Sequence, residues 1–186
     1  MEQSPHHYET LSLNLAHHAH YEYSEVARSY VPMHWHDALE LIYILNGELT
    51  VETEQRRWQL HAGQCICISP YVLHSTISLS WNTALLLQIP TEELVDFTPE
   101  TRSRQFIWDA ETTNPAMMAS IERVKQKLLQ MQHTANSDSP FKGIRMASLL
   151  LEITYLVYED FSRPVTEGNI SRSEKNRQRL SAVIAY

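Results

Sequence analysis

Two histidines one residue apart, His34 and His36, are followed by Glu40 in the stretch "HWHDALELIYILNGELTVE" that runs from 34 to 52. In an extended strand alternate side chains share a face, so both imidazoles point one way and Trp35 points the other. That is the minimum for two ligands on one metal. If the strand runs on without a bulge, Glu40 falls on the same face, and a neighbouring strand carrying His74 completes a set of three nitrogens and one oxygen. Such a set suits a divalent transition metal, zinc, nickel, iron or manganese, with positions left for water or substrate. The same side chains serve equally well without metal. Neutral imidazole is a hydrogen-bond partner, and Glu40 can orient a histidine or accept a hydroxyl from a small ligand.

The elements around these residues read first as strands. From about residue 9 to residue 89, short apolar or alternating stretches such as "LELIYIL", "LTVETEQ", "RRWQL", "QCICIS", "HSTISLSW" and "TALLLQI" are separated by turn signals. Asn46-Gly47, between the first two, predicts a hairpin with a type I′ turn, because both central positions of that turn want positive φ. With no helix-period segment among them, these strands predict a sandwich or small barrel. The aromatic residues Trp35, Tyr43, Trp58 and Trp81 read as packing between strands.

After Pro90 the period changes to that of helices. Asn114 and Pro115 form an N-cap and first-turn pair, followed by Met117, Ile121, Val124, Leu128 and Met131 at spacings of three and four. Ser139 and Pro140 repeat the signature before Phe141, Ile144, Leu149, Leu150, Ile153, Leu156, Val157 and Phe161, which occupy much of the circumference. One side of a helix over 139–161 covers the barrel, and the other either packs within the chain or meets a second subunit. A dimer contact on it would use Leu149, Leu150, Ile153 and Leu156. The polar stretch "SRPVTEGNISRSEKNRQ" reads as a linker. "RQRLSAVIAY" then begins an amphipathic helix, with Leu180, Val183 and Ile184 in phase, too short to bury that face, so a chain cut from something longer is expected.

Composition excludes several classes. The 186 residues, 43% hydrophobic and 20% charged, suffice for one well-buried domain and a smaller appendage. A formal charge of −7 leaves no general footprint for nucleic acid, whose binding rests on Lys and Arg neutralising phosphates. Cys65 and Cys67 are too close in sequence for an ordinary disulfide and read as small buried hydrophobes. The N-terminus lacks the features of a signal peptide, and no apolar run approaches the length of a membrane span, so the cytoplasm is the expected compartment. His6, His7, His17, His18 and His20 make a histidine-rich arm that reads as solvated. Gly47, Gly63, Gly143 and Gly168 are too sparse for a dinucleotide fingerprint, and no nucleophile elbow is present.

The spacing His34-x-His36-x3-Glu40-x6-Gly47 resembles the first motif of the cupin superfamily, and "AGQCICISPYVLHS", with Gly63 and His74, resembles the second. The resemblance implies a double-stranded β-helix, or jelly-roll, barrel. It also implies His34, His36, Glu40 and His74 as the ligands used by metal-binding cupins. Four positions depart from the pattern: Arg28 and Tyr71 stand where glycines are usual, Ser69 where a proline is, and Ser78 where an asparagine is. A narrower resemblance covers nearly all of residues 20–186. Barrel, two amphipathic helices, polar linker and the start of another helix look like the sensing and dimerisation region of an AraC/XylS-type transcription regulator, in which "HWHDALELIYILNGEL" is a common kind of phrase. It implies an N-terminal arm over 1–20, which in family members can fold over the effector pocket and help close it, an effector-binding barrel over 21–98, a helical dimerisation region over 99–162, a linker over 163–173, and the start of a helix-turn-helix domain over 174–186. The partners implied are a small-molecule effector near His34, His36, Glu40 and His74, a second copy of the chain, and DNA through a C-terminal domain, with no membrane and no required cofactor. The rival expectation is a metal-dependent cupin enzyme, a dioxygenase or isomerase, motivated by the intact ligand set.

Overall fold

The computed structural model describes residues 7–15, 18–92 and 104–164. His6, His17, most of the expected linker and the expected helix-turn-helix start lie outside them. Eleven strands and two helices are present among the described residues, in the order β1 (His7–Tyr8), β2 (His20–Val26), β3 (Ser29–Trp35), β4 (Ala38–Asn46), β5 (Glu48–Thr53), β6 (Arg57–His61), β7 (Cys65–Ile68), β8 (His74–Ser78), β9 (Asn82–Pro90), β10 (Arg104–Phe106), α1 (Pro115–Ala135), α2 (Lys142–Phe161) and β11 (Ser162–Pro164). One sheet has the order β1-β3-β8-β5-β6 and the other β2-β9-β4-β7. All pairings within them are antiparallel except β1 with β3. This is the expected cupin-like jelly-roll, followed by two helices.

The strand β4 is apolar nearly throughout because both of its faces are covered. Ile42 and Ile44 point between the sheets, where they join Leu49, Val51, Leu60, Ile66, Ile68 and Ala84. Leu39, Leu41 and Tyr43 point outward into a second cluster, with Leu85, Leu87 and Ile89 of β9 and the helical residues Val124, Leu128, Met131, Leu149 and Ile153. Cys65 and Cys67 face this second cluster as free thiols, and burial pushes the Cys65 thiol up to about 12, so they act as hydrophobes.

The expected hairpin at Asn46-Gly47 does not form. β4 pairs with β7 and β9, whereas β5 pairs with β6 and β8, so the chain changes sheets at this corner. Gly47 carries the positive φ, +74°, and Asn46 is not among the positive-φ residues. Glycine is needed for a second reason: a Cβ there would press on the backbone carbonyl of Trp81 and on Asn82. Local turn chemistry marked the bend correctly, but strand partners in a jelly-roll come from distant sequence.

Helix α1 starts as its sequence predicts. Asn114 caps it by accepting from the Ala116 and Met117 amides, and Pro115 follows at the first position. Helix α2 starts later than expected, at Lys142, because the Ser139 hydroxyl accepts from the Phe141 amide and holds Pro140 and Phe141 in a turn. Leu149, Leu150 and Ile153, expected at a dimer contact, are buried in the chain's own core, and Leu156 packs against its edge. The face of α2 left exposed carries Phe141, Ile144, Leu151 and Tyr155.

Two short strands escaped the sequence reading. β10 and β11 pair across the ends of the helical region, with the Arg104 guanidinium donating to the Ser162 hydroxyl at 2.8 Å. Arg163 and Pro164, expected in the linker, belong to β11. Trp108 then straps the helices to the barrel, its indole N–H donating to the Cys65 carbonyl at 3.0 Å while its ring meets Phe161.

Candidate metal and effector site

Four side chains that the sequence separates converge at one end of the barrel. His34 lies near the end of β3, opposite His74 at the start of β8 in the same sheet. The chain leaves β3 after Trp35, turns through His36 and Asp37, and enters the other sheet as β4. Contrary to the expectation of one unbroken strand, Glu40 does not share a continuous strand with the histidines. It reaches them because the two sheets face each other. One ligand atom from each of His34, His36, Glu40 and His74 lies within 4.8 Å of all the others, and all four residues are buried.

The backbone aims the three imidazoles. Each Nδ1 lies near a main-chain carbonyl two residues away: His34 to Pro32 at 2.8 Å, His36 to Ala38 at 3.1 Å and His74 to Val72 at 2.8 Å. For His34 and His74 a proton on Nδ1 donated to that carbonyl leaves the Nε2 lone pair free, the arrangement that orients histidines for metal ligation, whereas His36 Nδ1 also lies 3.3 Å from the Ala38 amide that donates to it, and its Nε2 donates to the Glu40 carboxylate, a proton that a metal would replace. Of the three Nε2 atoms, that of His36 lies 2.6 Å from Glu40 Oε2, and that of His74, 3.6 Å from the same oxygen, is buried with no partner at hydrogen-bond distance. An orphaned, fully buried imidazole nitrogen is costly unless something occupies the space in front of it. With three aimed nitrogens and one carboxylate, the residues fit a divalent transition metal.

The electrostatics favour an ionised carboxylate. Burial raises the Glu40 pKa, but the facing imidazoles of His36 and His74 outweigh it and hold the group well below the usual carboxylate range. For His74, burial disfavours the charged ring, yet Glu40 raises its pKa overall. At His34 burial dominates, followed by the neighbouring His74, and its pKa is lowered.

Gln88 was missed by sequence reasoning. It stands opposite Glu40 on β9, and its amide donates to Glu40 Oε2 at 3.0 Å. A signal was there: Gln88 is the lone polar residue in the run "ALLLQI", on the same strand face as Ala84 and Leu86, which point into the barrel. Glu9 also reaches the cluster, with Oε2 3.6 Å from His34 Nε2, and nothing in its polar surroundings marked it. The described part of the arm is not a solvated tail, since β1 pairs with β3 and the Tyr8 ring packs on Trp35 at 4.7 Å. A separate depression of about 490 Å³ lies at the far end of the β3–β8 ribbon, lined by Arg28, Ser29, Tyr30, Ile77, Ser78 and Leu79.

The fold and its buried polar end define a cupin-type ligand-binding barrel. The chain belongs to the AraC-like ligand binding domain family, whose model matches residues 16–150. No curated protein matches it. Among solved structures it is similar to a cupin superfamily protein from Desulfitobacterium hafniense, at 14% identity over 43% of this chain and 74% of that one, with a TM-score of 0.40. It is also similar to a cupin-2 domain protein from Shewanella frigidimarina, at 18% identity over 42% and 74% with a TM-score of 0.36. KdgF from Halomonas sp. aligns at 18% identity over 39% of this chain and 70% of that one, with a TM-score of 0.37. No helix among the described residues is long and apolar enough to cross a membrane.

Proposed function

We propose that this chain is the effector-sensing and dimerisation region of a bacterial AraC-type transcription regulator, a sensor and not an enzyme. The observation that carries the sensing role is the convergence of His34, His36, Glu40 and His74, with Gln88 behind Glu40, at the buried polar end of an otherwise apolar barrel. A pocket with apolar walls and a few aimed polar groups is the usual form of a small-molecule site. The ligand is a small polar molecule with hydroxyl or carboxylate groups, held by imidazole and carboxylate directly or through a divalent transition metal on the same four residues. When bound, the metal supplies a Lewis-acidic centre for oxygen donors of the effector. No cofactor is required by this reading.

Signalling follows as a population shift. Glu40 sits on β4, whose outer face carries Leu39 and Leu41 into the helical core, so a ligand that draws on Glu40 has a packed route to α1 and α2. The homodimer contact uses the exposed face of α2, with Phe141, Ile144, Leu151 and Tyr155, in place of the buried leucines. DNA contacts belong to a helix-turn-helix domain following residue 174, and the protein works in the cytoplasm. A thermal-shift screen of small polar metabolites tests the sensing role, because a ligand of the folded state raises the melting temperature by mass action. Hits should shift the wild type and leave Glu40→Gln unmoved; hits that shift both equally would place the ligand elsewhere.

A further inference from the structure

One sheet edge is left open at the end of β3 away from the histidines. On one side β3 pairs with β8 from Ser29 to His34, but on the other side β1 reaches only His34 and Trp35. Among the described residues, those from Ser29 to Met33 therefore have no neighbouring strand on that side, a gap of about 17 Å at roughly 3.4 Å per residue. Alternate residues of an edge strand turn their N–H and C=O groups outward, and such a row is a template for another extended chain. Pro32, with no N–H to offer, stands where an edge strand tolerates it. The depression of about 490 Å³ lies at the far end of this gap. Tyr30 and Ile77 pair in register across it, so their side chains share one face, and Tyr30 and Leu79 are 65% and 72% exposed. Large apolar side chains left in water beside a concave surface mark an interaction site. Arg28, just before β3, is the one charged residue lining the depression and makes no ion pair among the described residues. Arg28 and Ser78 are also two of the four positions at which the chain departs from the cupin pattern, and both fall here, so the chemistry of this surface is particular to this chain.

We propose that the open edge of β3 receives an extended segment of a partner protein, added as a strand along Ser29–Met33, with an apolar side chain in the depression and a carboxylate side chain on the Arg28 guanidinium. Main-chain hydrogen bonds to the edge supply affinity without regard to sequence, and the depression and Arg28 supply the choice of side chains. The edge limits the paired length, because β1 closes the gap at His34. The partner's charge is set by complementarity: an unpaired guanidinium in a chain of formal charge −7 is matched by a single carboxylate, whereas a strongly acidic segment is repelled by the rest of the surface. This surface is independent of the metal and effector reading of the four-residue cluster.

The experiment is an amide NMR titration of the chain with a pentapeptide blocked at both ends, Thr-Val-Thr-Val-Asp, and with its Asn counterpart. The acidic peptide should shift the amides of 29–31 and 77–79 saturably and leave those of Glu40 and Gln88 in place. In the wild type the Asn peptide should bind about threefold to fivefold more weakly, the scale of an exposed ion pair. Arg28→Gln should bind both peptides equally, and Leu79→Ser, at an exposed position, should weaken both by about fivefold or more through lost apolar contact. No saturable shift, equal binding of the two peptides to the wild type, or a preference for Asp that survives Arg28→Gln overturns the proposal. Hydrogen exchange of the free protein tests the other occupants. Unprotected amides at alternate positions of 29–33 support the open edge. Protection that grows with protein concentration assigns the edge to a second copy, protection independent of concentration assigns it to the chain's own residues 1–6, and either result overturns the proposal.

Discussion

Gln88 and Glu40 face each other across β9 and β4, with the amide nitrogen 3.0 Å from the carboxylate oxygen and both side chains buried. This pair fixes the position of the only carboxylate in the four-residue cluster, because Glu40 is held from the strand beside it and from His36 in front.

Gln88→Leu removes that support while keeping the strand's volume and apolar character. A hydrogen bond to a charged group contributes about 1.5–3 kcal/mol, and its loss leaves part of a buried carboxylate unsatisfied. Urea denaturation should show a loss in this range, and effector or metal affinity should fall with it. A variant as stable as the wild type would mean that Glu40 is satisfied without Gln88.

Glu40 and His74 make stability depend on pH in opposite directions. Glu40 is held below its ordinary value of 4.5, so its contribution is present above that pH and is lost as the pH falls through its lowered folded pKa. His74 is raised above its ordinary value of 6.5, so its contribution is full below that pH and is lost as the pH rises through its raised folded pKa. The stability difference between wild type and Glu40→Gln should therefore peak between pH 4.5 and 6.5 and shrink on both sides. Urea unfolding of both proteins, measured within that window and on either side of it, checks this. A difference that grows steadily into alkaline conditions would contradict the pairing.

Tyr71 holds a φ of +63° in the turn before His74, where cupin-like sequences commonly have glycine. A side chain in this left-handed region costs on the order of 1–2 kcal/mol. Tyr71→Gly and Tyr71→Ala both lose the ring that lies 6.3 Å from Trp35, but only alanine keeps the strain. The glycine variant should be more stable than the alanine variant by about 1 kcal/mol in parallel unfolding curves. Equal stabilities would show that the turn relaxes without cost.

The proposed dimer contact and the core packing lie on different faces of α2. Ile144→Asp with Tyr155→Asp should leave a folded monomer, seen by light scattering, because both side chains are exposed. Leu149→Ala should instead destabilise the chain by about 2–5 kcal/mol, since Leu149 is completely buried. A double aspartate variant that still dimerises would move the contact to another face.

The sequence disclosed local features more readily than distant ones. The Asn114 cap and the face of α1 were legible because short-range spacing encodes them, and the four candidate site residues were legible through the resemblance to two cupin motifs far apart in the chain. The pairing of β4 with β9 was not, and neither was the role of Gln88, since both depend on which strands a jelly-roll brings side by side. Helical periodicity shows that the face of α2 with Leu149, Leu150 and Ile153 is buried without saying against what, and of the two partners left open, the chain's own core and a second subunit, the structure shows the core. Glu9 left no signal because its position depends on contacts between segments distant in sequence, the pairing of β1 with β3 and the Gln88 amide that donates to it.

The most direct test of the central claim is the imidazole 15N spectrum of the protein before and after addition of a compound that raises its melting temperature. The account predicts that the resonances of His34, His36 and His74 move together, while those of His61 and His133, away from the cluster, stay in place. A ligand that binds and shifts none of the three cluster histidines would contradict it.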